Sequence, residues 1–174
     1  IDADAIRLLS LKEDRELLSS RKGVTVFTPH IGEFADFVGV TEKEVNEAPI
    51  RHVREFVEEL NCSVVLKGPG TFMSFPDGEL FINYFPNDGM ASGGSGDVLA
   101  GIIGGLLAQY IPKEIDNSGS LTVDKSSLYG AICLGVYTHT LAGRFALEEE
   151  GAKSMTATTI INNLSKANKE IKES

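Results

Sequence analysis

Short strand-like and longer helix-like hydrophobic segments alternate along the first half of the chain. Val24–Phe27 and Ser63–Leu66 are β-rich runs followed closely by proline or glycine, as is typical of buried strands. Between these runs, apolar residues recur at helical spacing at Ile50, Val53, Val57 and Leu60. Thr71–Phe75 and Leu80–Phe85 flank a Pro-Asp-Gly-Glu turn and predict a hairpin. The predicted order is therefore β-α-β followed by a hairpin.

Longer apolar patterns predict helices in the rest of the chain. Ala5–Ser19 has the mixed pattern of a surface helix, whereas Asp97–Tyr110 and Leu128–Glu149 contain small apolar residues that allow close packing. A polar loop, Pro112–Lys125, separates the two apolar helices. Strands that alternate with helices predict an open, mostly parallel α/β sheet flanked by helices, with ligands at the C-terminal ends of the strands. The 174 residues are expected to form a single domain, residues 1–174.

The composition is that of a folded, acidic protein. Hydrophobic residues make up 42% of the chain, enough for a packed core, and 25 acidic residues outnumber 16 basic ones. Because the basic residues are dispersed, binding to nucleic acid or to an anionic membrane is not expected. The longest apolar run, Val98–Ala108, is too short to cross a bilayer. Cys62 and Cys133 lie in apolar segments, as reduced thiols do, so a cytoplasmic location is expected.

A glycine-rich loop before the first apolar helix is the most informative segment of the sequence. Gly93, Gly94 and Gly96 remove side chains where a phosphate would approach the backbone. The helix that follows directs free N–H groups and its positive dipole end to the same place. The loop differs from a P-loop, since no Gly-Lys-Ser/Thr follows, and from the dinucleotide fingerprint, since Leu99 replaces the third glycine. An anion-binding loop is predicted.

Asp97 stands at the start of that helix and has two interpretations. An aspartate in a first helical turn stabilises the helix through the dipole, and this needs no further function. A carboxylate beside a bound phosphate is, however, repelled by it. Its place in this loop is therefore best explained by a general base that accepts the proton of an attacking hydroxyl. The catalytic interpretation is preferred.

The glycine loop and four further segments, in the same order along the chain, resemble a known family. The loop resembles the signature of the ADP- or ATP-dependent NAD(P)H-hydrate dehydratases, members of the ribokinase-like superfamily. The other matching segments are Ile1–Ala5, Thr28–Glu33, Val65–Thr71 and Gly135–His139. The resemblance implies that ADP or ATP, with Mg²⁺, phosphorylates the added hydroxyl of hydrated NADH or NADPH. Loss of phosphate would then restore the dinucleotide.

The resemblance also assigns roles to individual residues. Asp97 would be the catalytic base and contact the substrate, and the anion hole would comprise Gly94, Ser95 and Gly96. His30 and Asp4 would bind the hydrated dinucleotide, and Glu33 would reach Mg²⁺ through water. The nucleotide-binding residues would be Lys67, Gly68, Pro69, Gly70, Thr71 and Gly96.

Several of these residues have a simpler interpretation. His30 has the alternative of a surface histidine, Glu33 that of a residue favouring a helix N-terminus, and Pro69 that of a tight turn, which is preferred. Asp2 and Asp4 alternate on a presumed strand, so that only one faces the site; Asp4 is chosen. His139 is interpreted as a buried packing residue.

The family's domain has more strands before the position at which this chain starts, so the N-terminal part of the domain is expected to be missing. The resemblance further implies a homo-oligomer and a fused or separate epimerase partner. Two alternatives remain open. One is a kinase of a small alcohol on the same fold; the other is a nucleotide-binding remnant without catalytic activity.

Overall fold

A computed structural model describes residues 1–10, 12–21, 23–110, 114–115 and 121–173. For residues 12, 13, 114, 115, 121 and 122 the description covers the backbone alone. The chain divides into two compact units. The first contains residues 1–82 and 112–123, and the second contains residues 83–111 and 124–174. In the described residues, strands and helices alternate in the first unit, while the second is mainly helical.

The sheet combines the predicted β-α-β pairing with the predicted hairpin. Strand β1 (Val26–Phe27) pairs in parallel with β2 (Ser63–Leu66), with Phe27 opposite Val64. Strand β3 (Gly70–Ser74) runs antiparallel to β2, and β4 (Leu80–Tyr84) lies beside β3, giving the order β1-β2-β3-β4. The sheet is therefore mixed, parallel across the β-α-β unit and antiparallel where the hairpin begins.

The helices of the first unit are shorter than their sequence pattern predicts. The segment predicted as one helix, Ala5–Ser19, contains α1 (Asp4–Leu8) and α2 (Lys12–Ser19). The Ser10 hydroxyl donates to the Arg7 carbonyl (2.9 Å), and this local bond competes with helix continuation. The remaining helices of the unit are α3 (Ile31–Val38), α4 (Glu42–Glu47) and α5 (Pro49–Leu60).

The core of the first unit is built around an aromatic cluster. Phe27 of β1 makes edge-to-face contacts with Phe37 of α3 and Phe56 of α5, at centroid distances of 5.9 and 5.2 Å. Phe34 packs on Phe56 at 5.1 Å, and each of these rings is buried. Offset and edge-to-face aromatic pairs of this kind add to the hydrophobic stabilisation of a core. They hold α3 and α5 against β1 and so fix the strand end that carries the first candidate residues.

The second unit contains the glycine loop and the two predicted apolar helices. A 3-10 turn (Asp88–Ala91) leads to α6 (Ser95–Tyr110), and α7 (Lys125–Glu150) packs on α6. A Cβ at Gly135 of α7 would lie 2.9 Å from Cγ1 of Ile103, so glycine is what allows these helices to approach closely. Helices α8 (Ala157–Asn162) and α9 (Leu164–Glu173) complete the unit.

Residues 112, 113 and 116–120 of the predicted polar loop, residues 112–125, lie outside the described residues. Its described part includes a short antiparallel pair, β5 (Glu114–Ile115) and β6 (Leu121–Thr122). Across the described ranges, no helix combines the length and the apolar character needed to cross a membrane.

Asp124 caps α7, and this cap predicts a loss of stability in acid. Its carboxylate accepts hydrogen bonds from the Ser126 hydroxyl (2.6 Å) and from the backbone N–H and hydroxyl of Ser127 (2.8 Å each). These bonds lower the pKa of Asp124 from its ordinary value of 3.8 to about 2. The folded state holds the proton less tightly than the unfolded state, so the contribution is full above pH 3.8 and is lost as the pH falls to about 2.

The matched control for this cap is Asp124→Asn, because asparagine caps a helix without titrating. The thermal stability of the natural protein is expected to fall toward that of Asp124→Asn as the pH is lowered from 5 to 2. Thermal denaturation monitored by circular dichroism at each pH measures the difference. A difference that stays constant over this range would contradict the assignment.

Candidate functional site

The entry to the glycine loop is hydrogen-bonded to α7 and packed against it. The Asn87 side-chain carbonyl accepts from the Gly89 N–H (3.1 Å), and its amide donates to the Gly143 carbonyl of α7 (3.0 Å). Gly89 lies against Met155, and Gly143 lies against Met90, with too little space at either glycine for a Cβ. The loop therefore begins from a packed and hydrogen-bonded position.

The exit of the loop forms the first turn of α6. Gly94 has φ +85°, in the left-handed region that favours glycine, and the Val98 N–H donates to its carbonyl (3.1 Å). The Ser95 N–H donates to the Ser92 carbonyl (3.2 Å). The N–H groups of Gly96 and Asp97 belong to the first turn, where no acceptor exists within the helix. This geometry has the form of the predicted anion hole, with a 16-residue helix behind it.

Asp97 stands beside the loop with its side chain exposed. Its Oδ2 lies 4.0 Å from the position that a Cβ at Gly94 would occupy. A carboxylate at this place satisfies both sequence interpretations, since it lies in the first turn of α6 and borders the anion hole. The structure thus brings together Asp97, Gly94, Ser95 and Gly96.

The first unit carries a second group of candidate residues, at the C-terminal ends of β1 and β2. His30 and Lys67 are bridge partners just past these strands, and the Lys67 N–H donates to the Pro29 carbonyl (2.8 Å). Carboxyl ends of parallel strands are where α/β folds bind ligands. The two segments therefore lie side by side at the strand ends where the sequence predicts ligand binding.

His30 and Glu33 form a reciprocal cap at the start of α3. His30 Nδ1 accepts from the Glu33 N–H (3.2 Å), and Glu33 Oε2 accepts from the His30 N–H (2.8 Å). Because Nδ1 accepts, the proton of the neutral ring is on Nε2, and the side chain is 60% exposed. Nε2 of the same ring lies 3.5 Å from Glu33 Oε1, so both ring nitrogens face Glu33 while the rest of the side chain stays exposed. A Cβ at Gly32 would lie 3.0 Å from the ring carbon Cε1, so glycine leaves room for this arrangement.

Asp2, not Asp4, contacts the predicted nucleotide segment. Asp2 Oδ1 lies 3.0 Å from Lys67 Nζ, and both side chains are largely buried. Asp4, in the first turn of α1, is exposed and lines a surface cavity of about 530 Å³ with Glu33 and Arg7. The prediction that both aspartates lie on a strand is wrong, because Asp4 lies in the first turn of α1. The sequence offers no sign of the partner of Asp2, which lies 65 residues away.

The segment after Lys67 makes a tight connection into the hairpin. Gly68 and Pro69 join β2 to β3, and a Cβ at Gly68 would lie 3.2 Å from Cδ1 of Ile31. Pro69 thus occupies a short turn, and Gly70 and Thr71 begin β3. Gly68 and Pro69 are exposed and directly follow Lys67 in the chain, as is suitable for a phosphate-binding segment.

Metal binding would depend on groups brought by a substrate. Within the described ranges, no group of three or more histidine, cysteine, aspartate or glutamate side chains is arranged to hold a metal ion. Glu33 Oε2 accepts the cap hydrogen bond from the His30 N–H, and Oε1 lies 3.5 Å from His30 Nε2, so contact of Glu33 with a metal ion would run through water. Mg²⁺ commonly binds through nucleotide phosphates and retained waters, with one or two protein carboxylates. The residues present fit a Mg²⁺ ion of that kind.

Comparison with known proteins agrees with the fold. A ribokinase-like superfamily protein from Enterococcus faecalis aligns over 94% of this chain and 52% of its own, with 28% identity and a TM-score of 0.62. An ADP/ATP-dependent NAD(P)H-hydrate dehydratase from Bacillus subtilis, co-crystallised with ATP and Mg²⁺, aligns over 88% of this chain and 52% of its own, with 27% identity and a TM-score of 0.71. A bifunctional NAD(P)H-hydrate repair enzyme from Thermofilum pendens is 35% identical over 173 residues, 99% of this chain and 30% of the relative.

The α/β unit with polar residues at its strand ends and the helical unit with its glycine loop define a ribokinase-like protein. The family model for NAD(P)H-hydrate dehydratases matches residues 1–166, and the chain belongs to this family. The chain spans about half the length of the matching solved structures and 30% of the Thermofilum relative.

Proposed function

We propose that this chain provides the ADP- or ATP-dependent dehydration of hydrated NADH and NADPH. The observation that carries the proposal is the glycine loop at the start of α6, with Asp97 beside first-turn N–H groups. The family model supports it, because it spans both compact units. We therefore assign residues 1–174 to one ribokinase-like dehydratase domain.

The proposed chemistry uses Asp97 and the loop backbone. Asp97 accepts the proton from the hydroxyl of the hydrated nicotinamide ring as that oxygen attacks the terminal phosphoryl group of the nucleotide. The bond to the leaving phosphate oxygen breaks, and the N–H groups around Gly94–Gly96 stabilise the charge on the transferred group. The lone pair of the ring nitrogen then expels phosphate as the carbon–oxygen bond breaks, and loss of a ring proton restores the reduced dinucleotide.

Most of the remaining roles are assigned within the first unit. We propose that Lys67, Gly68, Pro69, Gly70 and Thr71 bind the nucleotide. Gly96, in the first turn of α6, is a separate nucleotide-binding assignment. Bound Mg²⁺ neutralises the nucleotide phosphates, and Glu33 contacts it through water. His30, whose side chain is 60% exposed, binds the hydrated dinucleotide, and Asp4 is assigned to the same substrate. In each case the support is the position past a strand end or beside it.

The ion pair between Asp2 and Lys67 makes a testable prediction about nucleotide affinity. Lys67 has to share its charge between Asp2 and an incoming phosphate, so Asp2→Asn is expected to tighten binding of Mg-ADP about fivefold. Asp4→Asn is the matched control, because it removes the same charge two residues along the chain. Asp4 does not pair with Lys67 and is assigned to the hydrated dinucleotide, so this affinity is expected to stay unchanged. Isothermal titration calorimetry measures both. Weaker binding by Asp2→Asn would show instead that Asp2 holds Lys67 in its binding position.

A cellular location, an oligomeric state and a partner enzyme can also be proposed. We propose a cytoplasmic location, where the nucleotide and dinucleotide substrates are present, and a homo-oligomer. The Thermofilum relative is named bifunctional, which supports the further proposal of a fused or separate epimerase for the same substrate.

The direct test is recovery of reduced-dinucleotide absorbance from purified hydrated NADH or NADPH. It uses the natural protein that carries these 174 residues, with Mg²⁺ and either ADP or ATP. Recovery that requires the nucleotide supports the dehydratase and identifies the phosphoryl donor. A protein that binds nucleotide but restores no absorbance would contradict the proposal. Phosphorylation of a small alcohol would then identify the kinase alternative, and inactivity on both the remnant.

A further inference from the structure

His139 makes a buried polar contact with the first residue of α6. The imidazole is 8% exposed, and its Nε2 lies 3.0 Å from the Ser95 carbonyl oxygen and 3.4 Å from the Ser95 hydroxyl. A carbonyl oxygen only accepts, so Nε2 carries the proton and donates. Ser95 is itself buried, at 4% exposed. Water does not compete for the hydrogen bond in this buried position, and loss of the bond would leave a polar group unsatisfied.

The same face of α7 holds both ends of the glycine loop. His139 and Gly143 are four residues apart, which places them one above the other on one side of a helix. Gly143 accepts from Asn87 at the entry of the loop, and His139 donates to Ser95 at its exit. The N–H groups of Gly96 and Asp97 directly follow the carbonyl that His139 binds. The position of these groups is therefore coupled to the imidazole by one peptide unit.

We infer that His139 is a positioning residue for the site at the start of α6. By fixing the Ser95 carbonyl, it directs the anion-hole N–H groups and keeps Asp97 beside them. The catalytic consequence rests on the proposed function, whereas the positioning of the loop does not. A packing role alone would be fulfilled by an apolar side chain of similar size; a positioning role requires a hydrogen-bond donor at the Nε2 position.

Three variants separate these roles. His139→Leu fills the space without a donor, and His139→Gln supplies an amide N–H at a similar reach. Thr138→Val is the matched control, because Thr138 is the preceding residue of α7 and is also buried. In the ligand-free protein, hydrogen exchange of the amides of residues 93–98 is expected to be about tenfold faster in His139→Leu. Exchange in His139→Gln and Thr138→Val is expected to match the natural protein.

Turnover provides the second measurement. His139→Leu is expected to lower kcat about 10²-fold, with the nucleotide KM within about threefold of the natural value, because misplaced donors act chiefly on the transition state. His139→Gln is expected to restore most of kcat. Natural exchange and natural kcat in His139→Leu would overturn the inference, as would equal defects in His139→Leu and His139→Gln. If hydrogen exchange changes in His139→Leu but the natural protein shows no dehydratase activity, the positioning role stands and the proposed function is rejected.

Discussion

Asp97→Asn is expected to lower kcat for dehydration by about 10²–10⁴-fold, the range typical of a lost general base. Asparagine has almost the same size, but its amide cannot take the proton of the attacking hydroxyl. The nucleotide KM is expected to change little, since the loop N–H groups remain in place. Steady-state recovery of the reduced dinucleotide at saturating nucleotide measures the effect.

Asp88→Asn is the matched control for this substitution. Asp88 lies in the same loop, in the 3-10 turn, and is also exposed, so the variant removes the same charge at a different place. Its kcat is expected to stay near the natural value. If Asp97→Asn also retained natural kcat, Asp97 would be a first-turn carboxylate that stabilises α6 and nothing more.

Gly94→Ala is expected to have the second large effect, on both stability and turnover. Its φ of +85° costs an alanine about 1–2 kcal/mol, and the new Cβ would lie 3.1 Å from the Cβ of Ala157 in α8. Relief of this strain moves the loop backbone, and a displacement of about 1 Å in such a site costs about 10²-fold in rate. Thermal denaturation and kcat are the two measurements.

Gly93→Ala is the stability control for Gly94→Ala. It adds the same methyl group to the neighbouring glycine, where nothing lies within 4 Å. The melting temperature of Gly93→Ala is therefore expected to stay close to that of the natural protein. Equal melting temperatures for the two variants would show that the left-handed conformation of Gly94 carries no strain for alanine.

Features with a strong local signal could be predicted from the sequence. Helices α6 and α7 follow from continuous small apolar patterns, and the hairpin follows from the turn between two β-rich runs. The glycine loop could likewise be predicted, because the spaced glycines and the start of the helix lie within ten residues of each other. In these cases the residues that determine the structure are neighbours in the chain.

Features that depend on distant or competing contacts could not be predicted. The pairing of Asp2 with Lys67 joins residues far apart in sequence, and strand alternation alone cannot select the partner. Thr41 and Glu44 form a capping box at the start of the short α4, whereas Pro49 begins α5 separately. A capping signal marks where a helix begins and carries no information on its length.

The hydrogen bond of His139 is a further contact between distant residues that the sequence does not predict. Its apolar surroundings in the sequence indicated burial, and the structure confirms it at 8% exposed. The buried imidazole also donates a hydrogen bond to Ser95, which lies 44 residues away in the chain. Burial could therefore be predicted from the local pattern, while the link to the glycine loop required the packing of α7 on α6.

The most direct test of the proposed dehydration is the ratio of reduced dinucleotide to inorganic phosphate formed in one reaction. Hydrated NADH is incubated with the natural protein, Mg²⁺ and the active nucleotide, and both products are followed over time. One phosphate is expected to be released for each dinucleotide restored, and both products are expected to form about 10²–10⁴-fold more slowly in Asp97→Asn. Consumption of the nucleotide with a stable phosphorylated product, and with neither free phosphate nor restored dinucleotide, would contradict the proposed dehydration.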